Sequence, residues 1–72
     1  MELKRTDVTV GELLKGIYNV TLAMKRHNIH VDSLYVVSSL DGIGHNGIWV
    51  ICVETGVKFH SNARYFKKTV KN

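Results

Sequence analysis

Apolar residues recur at helical spacing in the first third of the chain and at strand spacing in the middle. At 100° per residue, Val10, Leu13, Leu14, Ile17, Val20, Thr21 and Met24 fall within one arc of about 120°. Glu12, Lys15, Asn19 and Arg26 lie on the opposite face. This predicts an amphipathic helix over residues 10–27. Thr9 and Glu12 have the spacing of a capping box, with Val8 and Leu13 as its hydrophobic staple. Lys25, Arg26 and His27 suit the dipole of the last turn, and Asn28 suits a left-handed stop.

The period then changes. Residues 34–40, Leu-Tyr-Val-Val-Ser-Ser-Leu, are rich in β-branched and aromatic types and run into the turn pair Asp41-Gly42. Residues 48–53 are apolar throughout, as in a strand covered on both faces. Residues 57–60 alternate after Thr55-Gly56. Ser61 or Asn62 then reads as the N-cap of a short helix over 63–70, with Tyr65, Phe66, Thr69 and Val70 on one side.

The expected fold is therefore α+β, in the order α-β-β-β-α. A long N-terminal amphipathic helix packs on a three-stranded antiparallel sheet, and a short basic helix ends the chain. A two-residue turn at Thr55-Gly56 would pair Glu54 with Val57 and Cys52 with Phe59. Val50, Cys52, Val57 and Phe59 would then face the long helix, because directly opposed residues share a face. Trp49, Ile51 and Val53 would share the other face with Lys58 and His60, covered by Tyr65, Phe66 and Val70 or by a partner.

Length adds a constraint. Seventy-two residues make one domain, 1–72, with residues 1–6 as a loose arm. Such a chain buries only about 60% of its unfolded surface, so its stability is thin. One cysteine, Cys52, excludes an internal disulfide and a multi-thiolate zinc site, which leaves oligomerisation as the available supplement. Cys52 reads as a small buried hydrophobe. The charged start, the lone cysteine and a longest apolar run of six residues suit a cytoplasmic protein with no membrane partner.

Candidate chemistry is sparse. Residues 42–47 spell G-x-G-x-x-G, but an apolar strand follows where a nucleotide-binding helix would be required. The segment reads instead as a flexible hairpin connection, with Asp41-Gly42 and Asn46-Gly47 supplying positive φ and Ile43 at the tip as a contact residue. His27, His30, His45 and His60 complete no recognisable metal shell, and the six acids occupy termini, cap and turns. No serine has a nucleophile-elbow context. Asn19-Val20-Thr21 matches a glycosylation pattern by chance on a helix. The expectation is no enzyme, no cofactor and no metal.

Charge is the one asymmetry. Residues 1–54 carry five Lys/Arg and six Asp/Glu, whereas residues 55–72 carry Lys58, Arg64, Lys67, Lys68 and Lys71 and no acid. This is an electrostatic footprint for an acidic protein or for nucleic acid. Trp49 and Ile43 are the expected apolar anchors beside those five cations, with Tyr35 and His60 adjacent to Trp49. The leading expectation is a regulatory or inhibitory protein docking on a larger macromolecule, by analogy with compact phage and mobile-element proteins that block host machinery. The alternatives are a nucleic-acid binder using the basic C-terminal surface and a homo-oligomeric module joined through the Trp49 face.

Overall fold

The computed structural model describes residues 2–17 and 29–70. Among these residues two 3-10 turns, Arg5–Asp7 and Ala63–Tyr65, accompany five strands: β1 (Leu13–Gly16), β2 (Leu34–Ser39), β3 (Gly47–Cys52), β4 (Lys58–Asn62) and β5 (Phe66–Lys68). The strands form one antiparallel sheet in the order β4-β3-β2-β1-β5. β4 and β5 are therefore opposite edges, yet only the second 3-10 turn separates them in sequence. In a flat sheet those edges would stand about 19 Å apart, at about 4.8 Å per strand. Four Cα steps reach about 14 Å when extended and less as a 3-10 turn. The sheet must curl, and it forms a small, partly open barrel.

The concave face holds the core. Leu14, Tyr35, Val37, Ile48, Val50, Phe59, Ala63 and Phe66 bury their side chains there with Val8 and Ile29. The Tyr35 ring sits edge-on to Phe59 of β4 at 5.9 Å and to Phe66 of β5 at 5.3 Å, so one side chain joins the two edges. Its hydroxyl accepts from the His30 N–H at 3.0 Å. Ser61 also points inward, and its buried hydroxyl has no hydrogen-bond partner among the described residues.

The long helix expected to begin at residue 10 is overturned. The Glu12 carboxylate does accept from the Thr9 N–H at 3.1 Å, as a capping box would have it, but the chain closes a turn in which Gly11 adopts φ +89°. That left-handed conformation cannot start an α-helix. Beyond it the burial alternates, with Leu14 and Gly16 inward and Leu13 and Lys15 outward. A Cβ on Gly16 would overlap the His30 carbonyl, which is how closely the returning chain packs. β1 has strands on both sides, so its backbone groups are satisfied by β2 and β5 and a helix has no advantage there. The rest of the expected helix, with Val20, Thr21, Met24 and the Asn28 stop, lies outside the described residues.

The C-terminal helix is likewise replaced. Asn62 does cap, its side chain accepting from the Arg64 N–H at 3.1 Å, but the helical turn ends after Tyr65. Phe66 then enters the core and the chain continues as β5, with the Ile17 N–H donating to the Tyr65 carbonyl at 2.9 Å. Val70, expected to cover the sheet, is 68% exposed.

The three expected middle strands are present, with a corrected register. Val50 pairs with Phe59 and Trp49 with His60, so residues 53–56 form the turn and the pairing is shifted by two. A two-residue shift keeps every side chain on its face. Val50 and Phe59 are accordingly buried, while Trp49, Ile51, Lys58 and His60 face outward.

Candidate partner-binding surface

Trp49 and His60 are opposed across β3 and β4 on the convex face, their rings edge-on at 5.3 Å. Lys58, two residues earlier on β4, carries its ammonium 5.8 Å from the centre of the Trp49 ring. The His60 Nε2 accepts from the Ile43 N–H at 2.8 Å. This bond holds Ile43, which is 83% exposed, at the margin of the same cluster.

The glycine loop is pinned by contacts at its neck and side. Gly42 and Gly47 close the neck, and a Cβ on either would overlap the backbone of the other's segment. Their role is close approach; in this loop the positive φ belongs to Gly44, at +83°. Arg5 fastens the neck from the N-terminal segment expected to be a loose arm. Its guanidinium donates to the carbonyls of Gly42 at 3.0 Å and of Leu40 and Gly47 at 3.4 Å. The Arg5 N–H donates to the Asn46 side chain at 3.1 Å, and the Ala63 N–H to the Asn46 carbonyl at 2.9 Å. The loop is thus tied to the N-terminal segment, β4 and the second 3-10 turn.

The basic residues of the last eighteen divide between the two edges of the sheet. Lys58 and Arg64 lie on β4 and the turn after it, and Arg64 stacks over the half-buried Tyr65 ring at 5.2 Å. Lys67 and Lys68 lie on β5 at the far edge. Lys67 stands directly opposite Lys15, and Lys68 pairs with Glu12 at 3.4 Å. Lys71 lies outside the described residues. Tyr35, expected beside Trp49, is instead buried on the opposite face. Arg5 as the anchor of the loop, Lys15 as the neighbour of Lys67 and Tyr65 under Arg64 come to light only in the folded chain. Alternation alone could have placed Lys15 outward had β1 been read as a strand.

Cys52 differs from expectation. It is half-buried at the end of β3. Burial pushes its thiol pKa up, but hydrogen bonds from the Thr55 hydroxyl and from the Thr55 and Glu54 N–H groups outweigh burial and hold it below the ordinary value. Among the described residues no three His, Cys, Asp or Glu side chains gather as a metal site, and no helix is long and apolar enough to cross a membrane. No protein-family model, curated protein or solved structure matches the chain.

Proposed function

We propose that this chain is a non-catalytic regulatory or inhibitory protein that docks on a larger macromolecule, in a reducing, cytoplasmic setting that suits its single cysteine. The observation that carries the reading is the convergence of Trp49, Lys58 and Ile43 around His60. A partly exposed tryptophan beside a cation and a protruding isoleucine is the composition of an interface anchor. The cluster lies on the convex side of a curled sheet, where side chains diverge and offer contact area instead of enclosing a substrate. Affinity capture from source-cell extract, followed by titration of the purified partner, tests the reading. Trp49→Ser together with Lys58→Glu should weaken that binding at least about tenfold, as expected for a central anchor. A partner bound equally by wild type and double variant would overturn it.

Nucleic-acid binding is the second reading. The Trp49 ring flanked by Lys58 and His60 favours it, since such a ring with a cation can stack a base and meet its phosphate. Affinity for a generic single strand should then fall with salt at a log–log slope of about −0.7 per phosphate contact. No binding at low salt would sink this alternative.

A further inference from the structure

The hydrogen-bond phase of β4 shows which of its backbone groups look away from the sheet. The Ala63 N–H donates to the Asn46 carbonyl at 2.9 Å, and the Cys52 N–H to the Val57 carbonyl at 2.9 Å. In an antiparallel ladder hydrogen-bonded pairs recur every second residue. Phe59 and Ser61 therefore turn their N–H and C=O groups towards β3, and Lys58, His60 and Asn62 turn theirs away from it, to the edge of the sheet among the described residues. Among the described residues no hydrogen bond outside the ladder engages the backbone of Lys58 or His60 or the Asn62 N–H, and the Asn62 carbonyl opens the 3-10 turn that follows. β4 is five residues long and carries no proline, and among the described strands the only bulge in register lies between β2 and β3.

We infer that the β4 edge takes an added strand from an acidic, extended segment of the docking partner. Main-chain hydrogen bonds to Lys58, His60 and Asn62 would supply the pairing, and Lys58 would supply the charge selection. The inference rests on the proposed docking function and specifies its geometry. Charge identifies the occupant. β4 offers Lys58 and the following turn Arg64, the other edge strand, β5, offers Lys67 and Lys68, and residues 55–72 contain no acid. A second copy pairing edge to edge would bring cations together, which disfavours self-association. An acidic strand meets no carboxylate on β4 itself. Lys58 and His60 stand on the convex face of this edge strand, with Trp49 beside His60 on β3, so alternate side chains of the added strand would reach the Trp49 cluster.

The test uses the full chain and a terminally blocked nine-residue peptide alternating glutamate with valine and threonine. Controls replace its glutamates with lysine or N-methylate alternate amides. Amide hydrogen exchange followed by NMR should show Lys58, His60 and Asn62 slowed at least about tenfold at saturation, while the outward amides of β5 stay unchanged. The lysine peptide and one of the two N-methylation phases should bind at least about tenfold more weakly, as should the exposed-site variant Lys58→Glu. Absence of binding by the acidic peptide would overturn the inference. So would binding indifferent to N-methylation, or protection confined to β5. A natural partner that still needs Trp49 and Lys58 but leaves those three amides unprotected would overturn the strand pairing and leave the docking function standing.

Discussion

The β2–β3–β4 meander and the two strands that flank it, β1 and β5, obey the same ladder geometry but announce it differently. Each meander strand is five or six residues long and is bounded by Gly, Asp or Asn turns. β1 and β5 have four and three residues, and each is embedded in a stretch whose apolar spacing also satisfies a helix. A strand that short carries little period of its own. Its conformation is decided by neighbours distant in sequence, since β1 pairs with residues near 35 and near 67.

The sharpest way to break the comparison is to remove what holds a flank in place. Phe66 is buried against Tyr35, and Phe66→Ala should destabilise the fold by about 3–5 kcal/mol in urea unfolding. Had residues 63–70 been a surface helix over a wet sheet face, the cost would be nearer about 1 kcal/mol. A loss that small would contradict the burial of β5.

A pair of prolines distinguishes strand from helix without touching the core. The N–H of Lys67 belongs to the ladder with Lys15, in phase with the Ile17–Tyr65 bond, whereas that of Lys68 faces the open edge. Lys67→Pro should cost about 1–3 kcal/mol more than Lys68→Pro, because proline is tolerated only where the edge N–H is unused. In a helix the two would be similarly harmful. Lys68→Pro also gives up the Glu12 ion pair, worth about 0–1 kcal/mol at that exposure, so the measured gap is a lower bound.

The same contrast explains what could be read in advance. Turn chemistry and β-branched runs are local, so the three meander strands and the two faces of β3 and β4 were legible even with the register misjudged by two. Glu12 and Asn62 each make one bond that their capping signatures suggest, Glu12 accepting from the Thr9 N–H and Asn62 from the Arg64 N–H, although no long helix follows either. The path of the chain beyond each cap was not legible, because Gly11 and Phe66 respond to tertiary packing. The candidate surface was half visible. Trp49, Lys58 and Ile43 converge, but the five basic residues treated as one footprint are separated by the curl, which places consecutive β4 and β5 on opposite edges. Arg5 was invisible as the loop's anchor because its contacts lie more than thirty residues away.

Tyr35 joins the two regions, and its hydroxyl gives the comparison a pH dependence. Burial raises its pKa above the ordinary 10.0, with the His30 N–H bond opposing. A raised folded-state value means stability present in full below pH 10 and lost as pH climbs through the folded value. Wild type should therefore lose stability above pH 10 more steeply than Tyr35→Phe. At neutral pH the variant should be weaker by about 1 kcal/mol, for the lost bond to His30. Parallel melting-temperature curves from pH 8 to 11 would remove Tyr35 as the source of the alkaline loss.

The smallest effect lies in the turn between β3 and β4 and leaves stability nearly untouched. Cys52 is a free thiol, and hydrogen bonds from Thr55 and from the Glu54 and Thr55 N–H groups favour its thiolate despite partial burial. Labelling by a disulfide reagent as a function of pH should then have its midpoint below that of an unstructured cysteine peptide. Thr55→Val removes one of these donors and should move the midpoint upward, while the change in unfolding free energy stays within about 0.5 kcal/mol, as expected at an exposed turn. An unchanged midpoint in Thr55→Val would assign the lowering to the turn's N–H groups alone. A wild-type midpoint at or above that of the peptide would mean that burial wins, as it does for Tyr35 of β2.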